Sequence, residues 1–433
     1  MLEEIALRNF KLFDEVGVDI KLGGITVLIG PNGTGKSSVL QALGLLKQSR
    51  QQDHFRFDGP QIWLGSFRDI VHHQQTNRRV SINLSASYND FNPPGVMTPP
   101  IPRSGVFTYH TEFADRVGLT LNEGSIGGSA DRLRASWSPA VSWTEPEQVT
   151  FDDGMTTVKP GPSNTITNPL NVVSAVSSAS GERLNEVARS LRDLFLTLFT
   201  LTGQVYLVPA IRGFGQSTYE ILPEISSTDL VEAGGPNEQA CLVANLIASE
   251  PQLADTVSAR LRDVLPGEEF RLRTRLVPGG RIAVEVAASG ESFHVSNAAF
   301  GLNQLVPLLM ALGLVPDGAI VGIEEPEIHL HPRAQAALAR VFVDATNRDH
   351  RQLILTTHSE HILMGLLSAV AHRKLKPAEL SVYEFRREGG TSRAERLEVN
   401  EYGQVQGGLS GFLEVDLDEI DDLLSTRFPS PVR

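Results

Sequence analysis

Residues 30–37 read Gly-Pro-Asn-Gly-Thr-Gly-Lys-Ser, a complete G-x-x-x-x-G-K-[ST] phosphate-binding loop. Gly30, Gly33 and Gly35 allow backbone conformations that a side chain would resist, so consecutive N–H groups can turn inward around phosphate oxygens. Lys36 is placed to reach the β- and γ-phosphates and the Ser37 hydroxyl to bind Mg²⁺, while Pro31, Asn32, Thr34 and Ser38 complete the nucleotide-binding segment. Much later, residues 319–327 read Ala-Ile-Val-Gly-Ile-Glu-Glu-Pro-Glu. An apolar strand ending in acids puts carboxylates where ligands bind in an open α/β sheet. Glu324 is expected to contact Mg²⁺ directly or through water, Glu325 to polarise the attacking water, and Pro326 to turn the chain away. Residues 352–358, Gln-Leu-Ile-Leu-Thr-Thr-His, form another such strand. Its His358 could hydrogen-bond the γ-phosphate or the water and so sense hydrolysis, and Ser359 can cap the helix that follows. His329 and His331 lie beside these acids, but their spacing is not H-E-x-x-H and Pro332 opens a helix, so they do not read as a zinc site.

Positioning these residues requires a particular set of elements. Ile25–Ile29 reads as a buried strand before the loop, and residues 38–46 carry apolar side chains at helical spacing after it. That helix N-terminus adds partial positive charge at the phosphate site. Residues 3–8 and 16–20 read as two earlier strands, with Gly23-Gly24 as a turn. Residues 77–160 change character: short candidate strands at 79–85, 117–121 and 148–151 alternate with turn clusters such as Pro93-Pro94-Gly95, 99–102 and Gly127-Gly128-Ser129. Residues 160–180 read as a poorly ordered linker. Leu184, Val187, Leu191, Leu194 and Leu198 form a stripe that covers about two heptads, so a core-packing helix is expected rather than a coiled coil. A strand at 204–208 leads into Pro209-Ala210-Ile211-Arg212-Gly213; two helices at 237–264 break at Pro251, and a hairpin turns around Pro278-Gly279-Gly280. From about residue 300, helix and strand alternate as a parallel α/β sheet demands.

The chain has 433 residues, long for one core, and a net charge of −13, which argues against a surface coated in basic groups for nucleic acid but leaves room for a local groove. Cys241 is the single cysteine, so no intrachain disulfide and no cysteine-rich zinc site can form, and a reducing cytoplasmic setting is expected. The start Met-Leu-Glu-Glu-Ile does not read as a secretory signal. No run of about 18 apolar residues appears, so no membrane span is expected.

Taken together, residues 7–11, 30–37, 296–304, 324–332 and 357–359 resemble the ABC-type ATPase superfamily in its SMC-like and OLD-like branch. The resemblance is strong over about residues 1–75 and 290–370, and weaker at 208–213 and 408–412. It implies an α/β P-loop ATPase head with a mixed, mainly parallel core sheet, an N-terminal antiparallel β layer and a long β-rich plus helical insertion. The expected division is 1–76 and 291–400 for the two parts of the head, 77–180 for a β-rich insertion with linker, 181–290 for a helical and hairpin insertion, and 401–433 for a tail. The implied cofactors are ATP and Mg²⁺. The implied assembly is a head-to-tail homodimer closed by ATP, open to larger assembly, in which Gly301 and Gln304 of the segment 296–304 face the partner's nucleotide. Ala299-Phe300-Gly301 stands where transporters carry Ser-Gly-Gly, so Ser296 or Asn297 is left to replace the serine contact. The adenine contact is open among Asn9, Phe10 and Lys11.

OLD-like nucleases add a TOPRIM domain, but 75 residues after His358 are short for one. The acidic stretch at 416–422 reads as a solvated helix rather than a metal site. The resulting expectation is an ATPase that senses a trigger and controls a separate effector, a nuclease or toxin, as in bacterial antiphage defence. The alternative is a DNA-repair or recombination ATPase that clamps DNA, with Arg68, Arg78, Arg79, Arg132 and Arg134 lining a groove. A scaffold with a dead site is disfavoured by the intact Lys36, Glu324, Glu325 and His358.

Overall fold

The computed structural model describes residues 1–49, 55–89, 104–116, 119–128, 133–138, 148–151, 157–158, 200–226, 229, 233, 235–266, 269–288, 290–298 and 300–406. The expected linker at 160–180, the stripe at 184–198, Ala299, Arg132, the segment 408–412 and the acidic stretch at 416–422 lie outside those residues, as does the side chain of Arg134.

The chain opens with β1 (Leu2–Arg8), β2 (Val18–Lys21) and β3 (Ile25–Ile29), then α1 (Lys36–Ser49) and the short α2 (Phe67–Ile70). There follow β4 (Val80–Asn89), β5 (Ser104–Arg116), β6 (Leu119–Gly128), β7 (Leu133–Ser138), β8 (Gln148–Phe151) and β9 (Thr157–Val158). Next come β10 (Val205–Val208), β11 (Tyr219–Glu220), α3 (Pro236–Ser249), α4 (Pro251–Val264), β12 (Arg271–Val277), β13 (Arg281–Ala288) and β14 (Glu291–His294). The last part holds α5 (Phe300–Leu314), β15 (Ile320–Glu324), α6 (Pro332–Asp349), β16 (Gln352–Thr357), α7 (Glu360–Ala371), β17 (Leu380–Glu388) and β18 (Thr391–Leu397).

These strands form three sheets. The core sheet has the order β10-β15-β16-β3-β17-β18, and its first five strands run parallel. Its central members β3, β15 and β16 are buried along almost their whole length and carry apolar runs, as a sheet covered on both faces requires. An antiparallel sheet has the order β2-β1-β4-β5-β6-β7-β8-β9, and a smaller one joins β11, β13 and β12 with β14 against β13. The expected α/β class, with a mixed core sheet and an antiparallel N-terminal layer, is what the structure shows. Apolar residues of β1, β4 and α1 cluster against Leu28, Ile320 and Ile354, so α1 lies between the antiparallel layer and one face of the core sheet. On the other face, Val27, Val321 and Leu355 pack with residues of α3 to α7.

Two details depart from the sequence reading. The strand expected at 16–20 begins at Val18, because the Asp14 carboxylate accepts from the N–H groups of Val16 and Gly17 at 3.0 Å each and folds them into a turn. Gly127 and Gly128, read as part of a turn cluster, close β6 with β5 on one side and β7 on the other. Pairing on both edges satisfies their backbone groups and outweighs the low strand preference of glycine. β4 also pairs with β1 over Leu2–Arg8, so the N-terminal layer and the strands after residue 77 are one sheet.

Candidate functional site

β15, β16 and β3 lie side by side, and their register sets their C-terminal ends level: Glu324 pairs with Thr356, and Thr357 with Ile29. The residues just beyond are Glu325, His358 and Gly30. Two segments near residues 325 and 358 therefore meet a third, some 300 residues earlier in the sequence, at one sheet edge.

The loop backbone is glycine-dependent in a specific way. Gly30 has φ +138°, and a Cβ there would lie 2.2 Å from the Phe385 carbonyl oxygen of β17. Gly33, at φ +72°, has open space where a side chain would stand. The Thr34 hydroxyl donates to the Pro31 carbonyl at 2.9 Å and Thr34 is buried, whereas Pro31, Asn32 and Gly33 are exposed on the rim. Ser38 is buried in the first turn of α1. Lys36 folds back into the loop, donating to the carbonyls of Gly30 at 2.7 Å and Pro31 at 2.8 Å, with His358 Nε2 at 3.1 Å. Burial lowers its pKa to about 8, against the opposing pull of the Glu325 and Glu327 charges.

His358 follows the same logic. Burial, then the Lys36 charge, holds its imidazole below the ordinary range, so it is neutral at neutral pH. An ammonium has only donors, so Nε2 is the acceptor in the Lys36 contact. Glu325 Oε1 stands 3.8 Å from the same nitrogen. Glu325 has φ +41°, a left-handed conformation that costs a non-glycine residue about 1–3 kcal/mol. Its N–H donates to the Thr356 carbonyl at 2.8 Å.

Glu327, the third acid of the run, accepts the His358 N–H on Oε1 at 2.6 Å and so fixes the strand end that carries the imidazole. Its Oε2 is buried without a hydrogen-bond partner among the described residues, and burial raises the Glu327 pKa. Glu324 is also raised by burial, while the Ser37 hydroxyl and the Ala210 N–H bond its carboxylate and oppose that shift. A hydroxyl and a carboxylate held together at the loop are hard oxygen donors, the set that suits Mg²⁺. Ser359 caps α7 as expected, accepting from the Ile362 N–H at 3.0 Å, and its hydroxyl donates to Gln335 at 2.6 Å.

The described part of the segment 296–304 leads into α5. Gly301, in the first turn of α5, packs where a Cβ would meet the His329 carbonyl oxygen at 2.5 Å. Gln304 is turned inward and is 5 % exposed; its side-chain oxygen accepts the Arg212 N–H at 3.1 Å. Ser296 lies in the short turn before α5, with its hydroxyl buried and, among the described residues, without a hydrogen-bond partner. Of the three residues left open for adenine, Phe10 is fully buried, Asn9 bonds Arg78 and Arg79, and the Lys11 ammonium bonds Gln41 at 2.6 Å. The histidine beside Pro332, His331, caps α6 through Nδ1.

Arg212 was not singled out by residue type or spacing. It is 3 % exposed and follows β10 in the turn that faces both Glu324 and α5. Its guanidinium donates to the carbonyls of Glu324 at 2.9 Å, Glu325 at 3.2 Å, Pro326 at 3.3 Å and Gln304 at 3.1 Å, and to Pro209 at 2.9 Å. Burial lowers its pKa to about 10, and the charges of Glu327, Glu325 and Glu324 oppose that shift. The available signal was an arginine between a proline and a glycine directly after a buried strand.

Comparison with known proteins finds two matching family profiles. Residues 1–91 match the family described as an AAA ATPase domain, and residues 266–364 match one described as an AAA domain, putative AbiEii toxin, Type IV TA system. The chain is 23 % identical over 386 residues to an OLD nuclease of Thermus scotoductus, covering 83 % of this chain and 59 % of that protein's length. It is 35 % identical over 71 residues to the DNA replication and repair protein RecF of Paenarthrobacter aurescens, covering 16 % of this chain and 17 % of RecF. Among solved structures, an SMC head bound to the C-winged helix domain of ScpA aligns over 92 % of this chain and 98 % of its own, with 12 % identity and a TM-score of 0.46.

Proposed function

We propose that this chain, an ATPase of the SMC-like and OLD-like kind, binds ATP at residues 30–37 and hydrolyses it to ADP and phosphate. The observation that carries the reading is the convergence of Lys36, His358 and Glu325 at one sheet edge, within 3.1 and 3.8 Å of the imidazole Nε2. The loop N–H groups and Lys36 hold the phosphates. Ser37 and Glu324 would hold Mg²⁺, which when bound neutralises charge on the phosphate oxygens. Glu325 takes a proton from a water whose oxygen attacks the γ-phosphorus, and the bond from that phosphorus to the bridging oxygen breaks as ADP leaves. The neutral imidazole of His358 orients that water or the γ-phosphate. Lys36 leaves its own loop carbonyls to meet the phosphates, so nucleotide entry exchanges neutral acceptors for charged ones.

The same reading gives a head-to-tail homodimer closed by ATP, with the first turn of α5 presented to the partner's nucleotide, and a separate effector protein, a nuclease or toxin, answering to that closure. Antiphage defence in the cytoplasm is the setting it fits. The family resemblance supports these points; among the described residues, no helix is long and apolar enough to cross a membrane. The test is a pull-down of tagged Glu325→Gln protein held in ATP, alongside turnover of the unchanged chain. Turnover with one co-purifying protein is expected. Absence of ATP binding overturns the reading, and nucleic acid without a protein partner overturns the effector part in favour of a DNA clamp.

A further inference from the structure

The turn at residues 209–214 grips α5 at Asn303 and Gln304. Besides the two Arg212 contacts to Gln304, the Phe214 N–H donates to Asn303 Oδ1 at 2.7 Å and Asn303 Nδ2 donates to the Phe214 carbonyl at 3.2 Å. Gly213, at φ +111°, leaves no room for a side chain: a Cβ would lie 2.9 Å from Gln304 Nε2 and 3.0 Å from Asn303 Oδ1. Pro307 follows inside the helix and has no N–H to give the Asn303 carbonyl. The gripped turn is thus joined to the rest of α5 by one hydrogen bond fewer than an uninterrupted helix would have. At the other end of the same guanidinium are the carbonyls of Glu324, Glu325 and Pro326. Among the described residues, the guanidinium bonds main-chain oxygens alone, so it holds the backbone that aims the Glu325 carboxylate without occupying that carboxylate.

We propose that Arg212 is a positioning residue that makes the placement of Glu325 depend on the placement of the first turn of α5. This rests on the ATPase reading above. A shift of that turn, as on meeting a second copy of the chain and its nucleotide, moves Gln304, and through Arg212 the carbonyls that fix the left-handed Glu325. Hydrolysis at one site then registers whether α5 is engaged at the other. Glu325 is the base, and Arg212 acts through the backbone that carries it.

The test uses the full chain with Mg²⁺ and ATP, comparing wild type, Arg212→Lys, Gln304→Met and the double variant. Lysine keeps the charge but not the fork that bridges the two segments. Arg212→Lys is expected to leave the KM for ATP unchanged and to lower kcat about tenfold, the size of a misplaced catalytic group. Gln304→Met should lower kcat about threefold with KM unchanged, having lost one of several contacts. The double variant should be no slower than Arg212→Lys alone, because both act through one linkage. A folded Arg212→Lys with wild-type kcat overturns the proposal; so does a loss that appears in KM, or a double variant whose losses multiply. Should Arg212→Lys fail to fold, Gln304→Met decides by itself: unchanged kcat overturns the linkage, and lowered kcat at constant KM upholds it. A wild-type chain that binds ATP and turns it over while both variants match it removes the linkage and leaves the ATPase reading standing. A wild-type chain that binds no ATP removes both.

Discussion

Helix α5 is held near both ends by a buried arginine, and the two grips differ in chemistry. At the C-terminal end, Arg351 donates to the carbonyls of Leu312 and, at 2.9 Å from Nη2, Val315, and it forms an ion pair with Asp349. Its charge is met by a carboxylate, and the orphan carbonyls of the helix end are satisfied. At the N-terminal end, Arg212 spends its donors on main-chain oxygens while three glutamates stand close enough to be felt as charges. The first arrangement closes a structure. The second leaves one carboxylate, that of Glu325, without a hydrogen bond among the described residues beside a fixed cation, which is the condition for a group that must take up a proton.

The comparison can be broken at four points. The largest effect is expected from Glu325→Gln, which should lower turnover about 10²-fold or more while nucleotide binding and the thermal midpoint stay put. Unchanged turnover would mean that the uncommitted acid is not used. Arg351→Met should cost about 2 kcal/mol in urea unfolding, since it leaves two helix-end carbonyls without their donor and takes one cation from the half-buried Asp349. Turnover per folded molecule should hold, and a large drop there would erase the distinction between the two ends.

pH sharpens the contrast. The folded Lys36 pKa of about 8 lies below its ordinary 10.5, so the folded chain loses that proton first as pH rises. ATP affinity, measured without divalent cation, should weaken above pH 8 by about tenfold per unit, while the Lys36 contribution to folding stability moves the opposite way up to pH 10.5. A flat affinity profile over that range would show that Lys36 stays charged. The smallest effect belongs to Ser359→Ala, which removes the α7 cap for about 1 kcal/mol of stability. Turnover should barely change, because the His358 N–H is anchored separately by Glu327.

Much of this site was legible in the chain. The strand, loop and helix of residues 25–49 appear where hydrophobic period and glycine spacing put them, and Pro251 separates α3 from α4 as read. The acids of 324–327 and His358 were legible because an apolar run that ends in a polar residue marks a strand end. What no local pattern could supply was adjacency. β3 is flanked by β16 and β17, more than 300 residues away, and β4 pairs with β1 rather than starting a separate sheet. Arg212 escaped for the same reason: its partners lie at 304 and 324–326, and an isolated arginine in a turn looks like a solvated one.

The position of β3 has a consequence for synthesis. Both of its neighbours, β16 and β17, are made from residues 352–388, so the phosphate loop emerges from the ribosome long before anything can hold its strand. Gln352 adds a stitch of the same reach, donating to the carbonyls of Leu2 at 2.6 Å and Gly23 at 3.0 Å. The nascent chain must carry its first apolar strands unpaired within the core sheet through most of translation, a slow, long-range closure exposed to misassembly. Competence to take up nucleotide is therefore acquired late, and a chain cut short before residue 352 would display the loop sequence without the sheet that shapes it.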